Sequence, residues 1–210
     1  MADTKIKPTL GVHNLWTPFL LGGKEMNYKL FKSVNLKELG QLRRYISIIY
    51  NSADFYDKHF VNKTIIYTTK NNKIELTARR DNFMHLCGIS YIEGPRKFFN
   101  DALDRKVQLK KVLIKKDGST FQKLQVLNQL KEMLGPHLRL TGRGAFTYLK
   151  FDHSLRTNKT ILALALLNNQ NYMVPISLLN LKFIHPFPKG DQIIKIESKD
   201  LRTGKIIIIR

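Results

Sequence analysis

Cysteine is almost missing from this chain: Cys87 stands alone among 210 residues. One thiol excludes an intramolecular disulfide and a cysteine-rich zinc site, and it fits a reducing compartment. Long apolar runs are missing too. The run 161–167 stops at Asn168-Asn169, far short of the ~20 residues of a membrane span. The run 16–21 is too short for a signal sequence and leads into Gly22-Gly23 rather than a cleavage-type site. The expectation is a cytoplasmic protein with no membrane partner. Gly142-Arg143-Gly144 lacks the third glycine and the βα flanks of a dinucleotide loop, so no cofactor is expected. The six histidines show no paired helical spacing and carboxylates do not cluster, so no metal is expected either. Acid is the scarcest charge: 16 Asp and Glu against 36 Lys and Arg leave +20. An excess of that size points to a polyanion, because each neutralised phosphate releases condensed counterions.

Hydrophobic residues at 43% and charged residues at 25% give an ordinary globular balance. Residues 1–34 mix Pro8, Pro18, Gly11 and Gly22-Gly23 with isolated apolar groups and read as an arm or extension, with a short strand near 28–31. Residues 35–210 read as one domain. A helix begins after Asn35, with Glu38 completing a capping box, and Leu36, Leu39, Leu42, Ile46 and Ile49 form its apolar stripe. Arg43 and Arg44 lie off that stripe, as solvated charges or phosphate contacts. Runs 64–69 and 74–79 flank an Asn-Asn turn and predict a hairpin. Glu75, Thr77 and Arg79 share its polar face. A short helix capped by Asp81 or Asn82 ends at Gly88, and helices follow over 96–107 and 119–134. Runs 145–151, 160–167, 172–179, 192–197 and 205–209 then read as strands, with Pro175 marking an edge or a break. Helices followed by strands give the α+β class.

The stretch Arg79-Arg80-Asp81-Asn82-Phe83-Met84-His85-Leu86-Cys87-Gly88-Ile89 places one histidine among apolar neighbours, downstream of paired arginines. Without metal ligands, phosphodiester chemistry needs proton-transfer groups and fixed cations. Histidine titrates near neutrality and arginine binds phosphate with a permanent charge. His85 with Arg79, Arg80 and Arg143 meets that minimum; the alternative for His85 is a helix histidine bonded to backbone. Phe146, Tyr148 and Lys150 share a strand face, as a base-stacking platform or as core.

The same stretch resembles the Phe-x-His-Leu-x-Gly segment of the phage-associated barnase–EndoU–colicin–RelE-like nucleases, with a preceding helix and hairpin and a later strand over Val174-Pro175-Ile176-Ser177-Leu178-Leu179. The likeness covers roughly residues 36–180. It implies N-terminal helices and a hairpin followed by a curved antiparallel sheet, and a metal-independent ribonuclease of a toxin or mobile element. On that basis His85 matches the motif histidine and Ser177 the polar strand position; Arg79, Arg143 and Lys150 come from charge and position alone. Cys87 in the variable slot, the arm and an Ile-rich hairpin over 193–209 depart from the pattern. The expected activity is RNA cleavage by 2′-OH attack, with a neutralising antitoxin as a further partner. The alternative is a non-catalytic binder that occludes nucleic acid or a nucleoprotein defence complex; a third reading has an acidic protein as the partner.

Overall fold

A computed structural model describes residues 30–146, 149–157, 162–183 and 186–210. The strand β1 (Phe31–Ser33) pairs antiparallel with β5 (Val112–Lys115), which also pairs with β4 (Ile89–Tyr91), giving a small three-stranded sheet. Helix α1 (Leu36–His59) starts as its sequence dictates. The Asn35 side chain accepts the Glu38 amide at 2.9 Å and the Glu38 carboxylate accepts the Asn35 amide at 3.0 Å. Asn35→Ala leaves an amide of that first turn unsatisfied and is expected to cost about 1 kcal/mol, read as a lower urea midpoint at unchanged slope.

The hairpin β2 (Lys63–Thr69) and β3 (Lys73–Thr77) forms as the alternation predicts, with Thr69 closing the Asn71-Asn72 turn through its hydroxyl. The late strands are β6 (Leu138–Thr141), β7 (Gly144–Phe146), β8 (Leu149–Phe151), β9 (His153–Thr157), β10 (Leu162–Asn169), β11 (Tyr172–Asn180), β12 (Asp191–Asp200) and β13 (Ile206–Ile208). Their arrangement corrects the expected curved antiparallel sheet. The order β12-β2-β3-β11-β10-β9-β6 closes through β6 to β12, at Asp191 opposite Leu140 and Gln192 opposite Arg139. A seven-stranded barrel results, with β13 hanging on β12 outside the closure. It is mixed, because β3 meets β11 in parallel at Leu76 and Met173. Closure removes the free edges that an open sheet leaves unpaired. Pro175 sits in an interior strand, where the β10–β11 ladder steps in register between Ala165 and Leu166.

Leu138, Leu140, Leu155, Leu162, Leu164, Leu166 and Leu178 belong to the main core together with apolar residues of α1 and the hairpin. The opposite barrel face carries a second, smaller core: Leu149 and Phe151 of the β7–β8 hairpin pack on Ala163, Ala165 and Leu179. Three short helices pack beside the barrel: α2 (Asn82–Cys87), α3 (Pro95–Leu103) and α4 (Ser119–Val126). The helix expected over 119–134 tightens into a 3-10 helix at Leu127–Leu134, and the one expected to reach residue 107 stops at Leu103. Among the described residues no helix is long and apolar enough to cross a membrane.

Candidate functional site

Helix α2 is held from both ends. The Asn82 side chain accepts the Arg79 amide at 2.8 Å, and Gly88 ends the helix in the left-handed region at φ 68°. Phe83 stacks among Tyr56, Phe98 and Phe99 with ring centroids 5.3–6.1 Å apart. With Phe83, Met84, Leu86 and Cys87 all buried, His85 is the one residue in the segment 83–88 that stays only half-buried.

Helix α4 meets this turn. The Thr120 hydroxyl donates to the Gly88 carbonyl at 2.5 Å and accepts the Lys115 amide at 2.9 Å, tying α2, α4 and β5 at one point. One turn on, Lys123 is buried. Its Nζ donates to Ser177 Oγ at 2.8 Å and lies 3.3 Å from the His85 carbonyl oxygen. Ser177 is itself 3% exposed and reaches this point from β11.

Electrostatics make the cluster chemically poised. Burial, helped by the Lys115 charge, lowers the Lys123 ammonium to about 7. Burial and the two lysine charges lower the His85 imidazole to about 4. Burial also lowers Lys115, and Asp117 is held below its ordinary value by the Ser119 amide and hydroxyl and by Lys115 and Lys123. At neutral pH the site therefore holds a neutral imidazole in the field of a lysine whose ammonium burial has lowered toward neutrality. That set can move a proton and bind an oxyanion. Among the described residues no group of three or more His, Cys, Asp or Glu is placed to ligate a metal ion. Burial pushes the Cys87 thiol up, away from the thiolate form in which a cysteine is nucleophilic.

Of the residues singled out in the sequence, Ser177 is joined by Lys123 to the main-chain carbonyl of His85. The others lie elsewhere. Arg79 and Arg80 are exposed at the start of α2, where Arg80 reaches Asp57 at 3.4 Å and lies over the Phe99 ring. Arg43 and Arg44 are exposed on α1. Arg143 is 89% exposed at its side chain, with its Nε 3.4 Å from Asp152. Lys150 is exposed on β8 while Leu149 and Phe151 turn inward, so the Lys150 face of that strand is the outer one. Tyr148 and the Phe146 side chain lie outside the described residues. None of the arginines is a hydrogen-bond partner of Lys123 or Ser177 among the described residues.

Lys123 was missed because lysine on a helix defaults to solvent. A signal existed: Thr120, Lys123, Leu124 and Leu127 follow the i, i+3, i+4, i+7 spacing of an inward stripe, and a charge on that stripe is out of place.

A comparison with protein-family models matches residues 48–209 to the family described as phage-Barnase-EndoU-ColicinE5/D-RelE like nuclease4. No curated protein and no solved structure matches the chain.

Proposed function

Since the chain belongs to the phage-Barnase-EndoU-ColicinE5/D-RelE like nucleases, we propose that it cleaves RNA without a metal ion, by attack of a 2′-hydroxyl on the neighbouring phosphodiester. The observation that carries this reading is the buried Lys123 ammonium, lowered to about 7 and hydrogen-bonded to Ser177 next to His85. RNA is favoured over DNA because a metal-free site gains most from a nucleophile that the substrate already carries.

His85, neutral above about pH 4, takes the 2′-OH proton. Protonated Lys123 stabilises the charge on the pentacoordinate phosphorus and gives its proton to the departing 5′-oxygen. Ser177 holds the lysine amine by its hydroxyl and thereby orients it. The product is a 2′,3′-cyclic phosphate on one fragment and a free 5′-hydroxyl on the other. Arg79, Arg80, Arg143 and Lys150 attract the flanking backbone by charge, as do Arg43 and Arg44 at longer range.

The test is incubation of the protein and of His85→Ala with total RNA and tRNA in EDTA, reading cleavage and end chemistry. Wild-type protein is expected to leave cyclic phosphate ends. His85→Ala is expected to be slower by about 10², the low end for a general base, because a base of low pKa drives proton removal weakly. The wild-type rate should fall below about pH 4, where His85 charges, and above about pH 7, where Lys123 loses its proton. Full activity in His85→Ala would refute the assignment. No cleavage by either protein, with salt-sensitive binding by both, would leave the occluding binder.

A further inference from the structure

Away from the Lys123 cluster, two arginines face each other with no acid between them among the described residues. Arg139 of β6 is directly opposite Arg156 of β9, so their side chains leave the same barrel face. Like charges in such a cross-strand pair are destabilising. Arg156 is nevertheless 7% exposed. Among the described residues the guanidiniums meet only main-chain carbonyls of the segment before β12. Arg139 Nε donates to the Lys189 and Gly190 oxygens at 2.9 and 3.1 Å, its Nη2 donates to the Gly190 oxygen at 2.9 Å, and Arg156 Nη1 donates to the Pro188 oxygen at 3.2 Å. Neutral carbonyls do not discharge two cations. Arg156 Nε is buried and has no hydrogen-bond partner among the described residues. Neither arginine pairs with a carboxylate there; the nearest in sequence register, Asp191, sits opposite Leu140 and so belongs to the other face. Burial and the Arg139 charge lower the Arg156 guanidinium, a sign that the pair is strained as it stands.

The geometry points to an oxyanion subsite at Arg139 and Arg156 that takes a backbone phosphate of the bound RNA, outside the scissile position. The identity of the ligand rests on the proposed nuclease reading; the anion site does not. An oxyanion supplies the missing negative charge and an acceptor for Arg156 Nε, and the planar guanidinium forks suit phosphate. The distance fits as well, for RNA that passes around the β7–β8 hairpin covering Ala163, Ala165 and Leu179. The row Arg139, Arg156, Ala163, Leu179 runs beside the row Thr141, Ser154, Ala165, Ser177 on the same face. Arg156 is therefore two strands across and two residues along from Ser177, about 12 Å by strand spacing. Lys189, exposed in the segment that the arginines hold, adds a third cation at the rim.

The test uses the full chain with 2′-O-methyl RNA, which cannot supply the attacking hydroxyl, as a dinucleotide and as a hexanucleotide. Arg139→Gln is the primary variant because Arg139 is only partly buried, and Arg139→Lys restores the charge; a thermal melt of each reports folding. Arg139→Gln is expected to weaken hexanucleotide binding about tenfold, leave dinucleotide binding unchanged, and make the slope of log K against log salt shallower by about 0.7. Arg139→Lys should recover most of the loss. Inorganic phosphate should raise the melting temperature of the wild type more than that of Arg139→Gln. Equal hexanucleotide affinity of wild type and Arg139→Gln overturns the inference, and it does so even where phosphate discriminates them, since the site then serves free phosphate. Equal losses for both oligonucleotides overturn it as well, because the arginine would then act on the Lys123 site or the fold. A wild type that cleaves no RNA but shows the tenfold difference refutes the nuclease reading and supports the subsite.

Discussion

Lys123→Met is expected to lower RNA cleavage by about 10⁴ and, in the same protein, to flatten the dependence of stability on pH. The catalytic loss is large because the lysine serves twice, as proton donor and as the charge against the developing oxyanion. The stability effect has a definite sign. An unfolded lysine keeps its proton to about 10.5, whereas folded Lys123 releases it near 7. Between those values the unfolded chain binds more protons, so wild-type stability rises as pH rises through the window from about 7 to about 10.5. Below about 7 the burial penalty is present in full. Methionine carries no proton and makes no such contribution. The absolute melting temperature is a poor readout, because methionine also strands the Ser177 hydroxyl and the His85 carbonyl, at about 1–3 kcal/mol each. The slope is the clean one. Melting wild type and variant at intervals from pH 6 to 10 separates the curves if the lysine is buried and charged at the acid end. Parallel curves would remove the buried cation from the account, and with it the proposed proton donor.

The sequence exposed the parts of this fold that are built locally. The capping box at Asn35 and Glu38, the Asn-Asn hairpin, and the helix closed by Gly88 all formed near their expected bounds, because each depends on residues within a few positions of one another. Closure of the barrel was not legible. It depends on β6 finding β12 some fifty residues away, and on β3 lying parallel to β11, and neither pairing leaves a local signature. The strands β6 and β9 escaped because they are short and poor in apolar residues, with only Leu138 and Leu140 in the first and Leu155 in the second to mark an inward face. The site divides in the same way. His85 was conspicuous as a titratable group in an apolar segment. The meeting of α4 with β11 is long-range, and Lys123 becomes a chemical group only when that contact takes it out of water.

Gly88→Ala is expected to damage stability and catalysis together, through one methyl group. At φ 68° an L-residue pays about 1–2 kcal/mol for the left-handed conformation. The added Cβ would also stand 2.6 Å from Lys123 Cδ and 3.4 Å from Thr120 Cα. The first contact is too close to exist, so something must move. Thr120 is backbone tied to Gly88 and Lys115 by its own hydroxyl, which leaves the Lys123 chain as the part that yields. Its Nζ then leaves the 2.8 Å bond to Ser177, and a displacement near 1 Å at a reacting group costs about 10² in rate. The two effects separate experimentally. Strain at the helix end alone predicts a lower denaturation midpoint with kcat and its alkaline limb intact once the protein is folded. Displacement of the lysine predicts a lower kcat at saturating RNA and an alkaline limb shifted upward, because an amine moved toward water regains its ordinary proton affinity. A folded Gly88→Ala protein with wild-type kcat and an unmoved limb near pH 7 would mean that Lys123 is not positioned by this turn.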